Sequence, residues 1–524
     1  MHGRMGEIGG AAHGTRRWVV AIGALVLASV WIRWPGFTQG GFANHDVAGI
    51  LYNAMLLHAG ELPYVANVEM KEPGSFYLAA LLAGEGGRDI GRFQIAANLW
   101  AIGSLLAMAR VAWMLFGARS AFMAVSVYVL HDAVLDTMDA NYVTWALLPM
   151  VLAMSWAFSA ARQPLGRARL LHFAVAGACA GAALLLKRQG GVAIPLVMLV
   201  ALWPRPLPGG VAVPELRVRV TAAGAVLVGV AAIHVPLVLH YVAHGQLLAL
   251  WDGYVINRWG LSYAAFGTQT MGPQAVREGL LALAFFLALP LALAVFAAHP
   301  PRRAPAESRA AVPILWLWFA GALFAASVGF RFYKGYFLAV APPLCILAAV
   351  PWGLLGNGYR LPRWARAALL APLLLLVARQ VHLLHAERVN RARPHDLGGR
   401  TIAKHVLANT PEGARIWIWG WHLWDVYPMT GMLSASRIYK SDGLLTTGND
   451  ATWRSPRSPL HFVDGPPAQM LLEDFERTPP YYIVLGSTVP DAEFRALQAH
   501  LRAHYLRDTR VKLGRVQFWR LRSE

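Results

Sequence analysis

The sequence predicts an α-helical polytopic membrane protein of about eleven transmembrane helices, followed by a small α/β domain. Three observations carry that expectation. Of 524 residues, 56% are hydrophobic and only 14% charged, against about 25% charged in ordinary soluble domains. Long apolar runs recur from Trp18 to Arg379 and then stop; many approach the roughly 20 residues that span a bilayer. The formal charge of +19 comes from basic residues scattered between those runs, with no basic stripe interleaved with exposed aromatics of the kind nucleic acid requires. Together these exclude a cytosolic enzyme, a disordered chain, a fibrous repeat and a nucleic-acid partner.

The apolar runs read as eleven spans at about 18–35, 94–115, 121–138, 142–160, 169–186, 190–203, 219–242, 278–298, 312–330, 335–351 and 364–383. Arg16-Arg17 precede the first without a small-residue cleavage site, so it reads as a retained anchor. With the N-terminus in the cytoplasm, the inside loops collect Arg119, Arg162, Arg167, Arg205, Arg217, Arg302, Arg303, Arg360 and others. The outside loops hold Asp46, Glu61, Glu69, Glu72, Asp132, Asp136, Asp139 and Asp252. That asymmetry obeys the positive-inside rule, and an odd span count puts the C-terminal tail outside. The membrane module is thus 1–385, with a large first outside loop at 36–92, and the outer α/β domain is 386–524. Within the tail, 401–407, 471–477 and 492–501 read as helices and 415–419, 481–485 and 516–521 as strands. The two cysteines, Cys179 and Cys345, lie inside apolar runs and support neither a disulfide nor a zinc site.

The chemistry concentrates outside. Loops as long as 36–92 are usually functional. This one opens with Asn44-His45-Asp46, followed by Val47, Ile50, Leu51, Ala54 and Leu57 at helical spacing. That pattern fits an amphipathic helix on the membrane surface, with Asp46 either its cap or a functional carboxylate. Next comes Glu69-Met70-Lys71-Glu72-Pro73-Gly74, a charged segment at a turn that is either solvated or a headgroup site. The second outside loop offers Asp136 and Asp139, either of which could instead cap the next span. Lys187, Arg188, Arg258, Arg331 and Lys334 fall at outside span ends, against the positive-inside trend. Contact with a lipid phosphate or pyrophosphate explains such placement, as does snorkelling to headgroups. The centres of the runs are nearly free of charge, with His172, His234 and His240 the main interruptions. A transporter would place ionisable groups at mid-membrane.

An acid after the first span, then Gly60-Glu61-Leu62-Pro63-Tyr64, then Lys71-Glu72-Pro73, resembles the first periplasmic loop of the GT-C membrane glycosyltransferases. The resemblance is to family 39-like bacterial members, which include lipid A aminoarabinose transferases and protein O-mannosyltransferases. Arg331-Phe332-Tyr333-Lys334-Gly335-Tyr336-Phe337 with Pro342-Pro343, and Arg415 to Gly420 in the tail, are similar to later segments of such proteins. The match departs at Glu72, where the family's Lys-Pro-Pro motif has its first proline.

The resemblance implies an inverting enzyme at the periplasmic face of the bacterial inner membrane. It would use a polyprenyl-phosphate-linked sugar donor and a lipid, glycan or protein acceptor. Asp46 would be the catalytic base; Lys71, Arg331, and Lys187 or Arg188 would hold the donor phosphate. Glu72 with Asp136 or Asp139 would orient the acceptor or hold a divalent ion, although no cofactor or metal is required. The aromatic Trp417–His422 stretch would meet the acceptor or simply form a buried strand. The alternatives are a flippase or transporter of a lipid-linked glycan and a subunit whose tail recruits partners.

Overall fold

The computed structural model describes residues 3–522 apart from 211–212, 262–273, 296–304, 355–362, 421–422, 441–442, 449 and 487–490. Arg302, Arg303, Arg360, Trp421 and His422 therefore lie outside the described residues. Ten helices occupy the first part of the chain up to residue 243: α1 Gly3–Ile32, α2 Trp34–Thr38, α3 His45–His58, α4 Gly74–Leu82, α5 Ile90–Phe116, α6 Ala118–Val129, α7 Tyr142–Arg162, α8 Arg167–Leu186, α9 Ala193–Leu202 and α10 Leu216–Ala243. Helices Gln274–Ala294, Ala306–Ser327, Ala341–Leu354 and Arg363–Arg391 follow. Among the described residues six helices are long and apolar enough to cross a membrane: α5, α7, α8, α10, Gln274–Ala294 and Ala306–Ser327. Shorter apolar helices cover 118–129, 188–202 and 341–352.

Small residues set the spacing of the bundle. α8 packs against both α7 and α10. At the α8–α10 crossing a Cβ on Gly177 would collide with the Val226 backbone, and one on Gly229 with that of Ala174. The two backbones therefore touch where side chains would hold them apart.

The third expected span, 121–138, is cut short. α6 ends at Val129 and the chain turns through 130–139. Asp132 there is buried against Arg33, at the end of α1. Arg33 also donates to the Thr137 carbonyl at 2.9 Å. An ion pair with both side chains almost fully buried needs such complete satisfaction, because an unpaired charge would be expelled. The sixth and tenth expected spans likewise each divide into a 3₁₀ turn, 188–192 and 334–339, and a short helix.

The tail holds a four-stranded sheet in the order β1-β2-β4-β3, formed by β1 Ile416–Trp419, β2 Tyr482–Leu485, β3 Tyr505–Leu513 and β4 Val516–Leu521. β1 and β2 are parallel; β4 runs antiparallel to both of its neighbours. Helices Leu397–Asn409, Pro466–Arg477 and Arg495–His504 match three expected elements, with one or both ends shifted. Strand β3 was not expected. Its outer face is solvent-exposed along Arg507, Arg510 and Lys512, so it lacks an apolar run.

α3 is not the surface helix that its spacing suggested. Val47 through Leu56 are all buried. One side packs into a cluster with Phe76, Phe93 and Trp145, while Tyr52 and Leu56 enter the tail's core beside Tyr427, Tyr439 and Tyr482. The tail thus buries the side of α3 that carries Tyr52 and Leu56.

Candidate functional site

Asn44 caps α3, its side-chain oxygen accepting the Asp46 N–H at 2.9 Å. Asp46 is therefore not the cap; it stands half-buried in the first turn, where the helix dipole favours an anion. Burial alone would raise its pKa. Lys71, then Lys440 and Lys187, outweigh that and hold the carboxyl below its usual value. Adjacent His45 is pushed down to about 4, chiefly by burial, and is neutral at pH 7.

Two hydrogen bonds of the loop place Lys71. The Tyr64 hydroxyl donates to the Lys71 carbonyl at 2.5 Å, and the Asn257 amide donates to the Met70 carbonyl at 3.2 Å. The ammonium of Lys71 then lies 5.4 Å from the centre of the Tyr142 ring. Pro73 and Gly74 do more than turn the chain. A Cβ on Gly74 would lie 2.6 Å from the Leu185 carbonyl oxygen, and Ser75 donates to the Leu186 carbonyl at 3.1 Å. This contact seats α4 against the end of α8 and brings Lys71 and Glu72 to Lys187 and Arg188. Arg188 Nε is 3.4 Å from Glu72, and its guanidinium also donates to the Tyr254 carbonyl. Lys187 sits 5.3 Å from the Tyr336 ring centre. Burial first, then repulsion from Lys71, lower its pKa to about 8 against the pull of Glu72 and Asp46.

Lys440 was not anticipated. It joins the site through Glu69, which is 2% exposed and accepts from Lys440 at 2.7 and 3.0 Å, Tyr439 at 2.5 Å and Asn53 at 2.9 Å. Residues 69 and 440 are 371 positions apart, and nothing local marks Lys440 as special.

Asp136, Asp139 and Lys334 form a second cluster. Lys334 lies 2.9 Å from both Asp136 and Glu387; Arg391 reaches Asp139 at 3.6 Å and Asp136 at 3.9 Å. Gln94 donates to Asp139 at 3.0 Å. The following helix starts at Tyr142 with Asn141 at its N-cap position, so neither acid caps it. Arg331 is buried and its carbonyl accepts the Trp453 N–H at 3.1 Å; Arg258 is exposed. His234 is bound to the Val230 carbonyl and the Tyr254 hydroxyl, a packed role. Among the described residues no group of three His, Cys, Asp or Glu side chains could hold a metal ion.

Beside Lys187 and Tyr336 lies a small apolar cavity of about 30 Å³, lined by Val143, Leu147, Met150 and Ala326.

No sequence-family model matches the chain, and no curated protein matches it. Solved structures do. The apo structure of ArnT from Cupriavidus metallidurans superposes with a TM-score of 0.60 at 14% identity, over 97% of this chain and 98% of that one. The same protein bound to undecaprenyl phosphate gives 0.57 at 15% identity, over 96% and 97%. The oligosaccharyltransferase AglB from Archaeoglobus fulgidus, in complex with an inhibitory peptide and a dolichol-phosphate, gives 0.52 at 12% identity, over 89% of this chain and 69% of that one. The chain has the GT-C fold. The GT-C comparison spans nearly the whole sequence, tail included, in keeping with the resemblance of its first loop.

Proposed function

We propose that this GT-C protein transfers a sugar from a polyprenyl-phosphate-linked donor to a lipid, glycan or protein acceptor at the periplasmic face of the bacterial inner membrane. One observation carries the reading: the Asp46 carboxylate lies in the field of Lys71, Lys187 and Lys440, with apolar residues beside Lys187. Structures of the same fold hold undecaprenyl phosphate and dolichol-phosphate, which supports a lipid-phosphate donor here. In this reading the long apolar helices cross the membrane, with 36–92 and the 386–524 domain on the outer side.

The donor phosphate lies between Lys71 and Lys187, and its polyprenyl chain runs into the membrane past the apolar residues beside Lys187. Asp46 accepts the proton of the acceptor hydroxyl. The freed oxygen attacks the anomeric carbon from the side opposite the phosphate, so the configuration inverts. The bond from that carbon to the phosphate oxygen breaks, and the departing lipid phosphate leaves with the electron pair, its charge held by the two lysines. The same lysines explain how Asp46 works as a base. In the empty site they depress its basicity; a phosphate between them cancels much of their field, and the carboxylate recovers proton affinity when the donor is bound. Glu72, fixed by Arg188, and the Asp136–Asp139 cluster border the acceptor side. No metal step is needed.

The test is reconstitution in liposomes with a radiolabelled polyprenyl-phosphate sugar and analysis of both lipid and product. Loss of sugar from the lipid that is abolished by Asp46→Asn supports transfer. Movement of intact labelled lipid across the bilayer without loss of its sugar establishes a flippase and removes the transferase reading.

A further inference from the structure

A second cavity, of about 460 Å³, lies away from Asp46, where α2 and the segment after it face the last turns of the Arg363–Arg391 helix. Its volume is in the range of about 300–1,000 Å³ typical of ligand pockets. One wall carries four arginines, Arg388, Arg391, Arg393 and Arg400. Two are neutralised: Arg400 by Asp396 at 2.8 Å, and Arg391 by Asp136, Asp139 and Glu387. Among the described residues Arg388 and Arg393 form no ion pair with a carboxylate; Arg388 instead covers the Trp31 ring at 3.7 Å.

Buried polar atoms around this cavity are left over. Both amide atoms of Gln39, Nε of Arg388 and Nε2 of His395 have no hydrogen-bond partner. Buried donors are rarely left unmatched in a finished structure. Most of these are N–H groups, which call for an acceptor-rich anion. Trp31 and Trp34 stand beside the cavity, each more than half exposed, and exposed tryptophans at a helix end mark the membrane–water interface.

We propose that this cavity binds the phosphate-bearing headgroup of an anionic amphiphile, separately from the donor at Lys71 and Lys187. The planar guanidinium forks of Arg388 and Arg393 take the phosphate oxygens, the Gln39 amide and His395 the remaining polar atoms, and the tryptophans flank the acyl region. The site shares Arg391 with the Asp136–Asp139 cluster and does not depend on Asp46 acting as a base.

The test is native mass spectrometry of the full-length protein in detergent, titrated with dioleoyl phosphatidic acid or dioleoyl phosphatidylcholine. The wild type retains one phosphatidic acid, and R388Q/R393Q weakens that retention by about tenfold or more, the loss expected for charge-assisted contacts. Arg393 is exposed, so R393Q alone keeps the fold and weakens retention in the same direction, while R393K largely restores it. Excess inorganic phosphate added as a competitor separates the sources. Displacement assigns the site to phosphate in any carrier, and retention assigns it to the lipid; either result leaves an anion site. Equal retention by wild type and R393Q, or equal retention of phosphatidylcholine, overturns the proposal.

Discussion

Lys440→Met isolates the contact that ties the tail to the first loop. Glu69 is 2% exposed and Lys440 5% exposed. The substitution removes both Lys440 contacts, at 2.7 and 3.0 Å, and leaves the carboxylate with Asn53, Tyr439 and the Met70 and Lys71 amides. Stranding one member of a buried pair costs about 3–5 kcal/mol, and the surviving donors place this case near the lower end, about 3 kcal/mol. Glu69→Gln strands the ammonium instead, cushioned by the Tyr439 and Trp424 rings at 4.9 and 5.6 Å, and costs about 2–3 kcal/mol. The double variant removes both charges and is less destabilised than the two single variants added together, by about 2 kcal/mol or more. Unfolding in mixed detergent–SDS micelles, followed by tryptophan fluorescence, gives the three values. Hydrogen exchange over 66–72 and 436–440 locates the loosening. Strict additivity, or a Lys440→Met cost below about 0.5 kcal/mol, would refute a buried clamp.

Three more outcomes are expected. Asp46→Asn lowers the transfer rate by about 10²–10⁴-fold, the usual worth of a general base, while the protein still folds with its Asn44 cap intact; near-normal turnover sinks the assignment. Lys187 binds an anion while protonated, so donor affinity measured by calorimetry is full below pH 7 and falls as pH rises through about 8. Lys187→Arg keeps its charge and abolishes that decline, and an unchanged profile contradicts the role. Asp425 is raised to about 7 by burial, with Asp396 adding to the effect. Its neutral form is the stable folded one, so stability declines from about pH 4 to about pH 7 and then levels. Asp425→Asn removes that slope and is more stable at pH 8 by an order of 1–4 kcal/mol, as thermal unfolding against pH would show; parallel curves for the two proteins would contradict it.

What the sequence revealed and what it concealed follow one physical division. Lys187 and Arg188 stood out because cations at outer span ends defy a charge rule that local composition can express. Lys71-Glu72-Pro73-Gly74 stood out because proline and glycine mark a turn. The reason Gly74 matters, its approach to Leu185, is a tertiary fact. Asp132 was read as one of several loop acids, yet its partner Arg33 shortens α6 by burying the turn that follows it. α3 was assigned to the membrane surface because its apolar spacing cannot reveal that Tyr427 and Tyr439, far along the chain, cover the opposite face. Strand β3 hid because an edge strand with Arg507, Arg510 and Lys512 toward solvent has no apolar run to detect.

The junction of Glu69 with Lys440 bears on inheritance. Lys440 contributes to the field on Asp46, so the tail is no detachable accessory. A chimera that exchanges 386–524 between two such chains also imports or deletes a charge at the reactive carboxylate. Residues 44–72 and 434–440 must therefore move as one block, and a lineage that loses the lysine at 440 must change the acid at 69 with it.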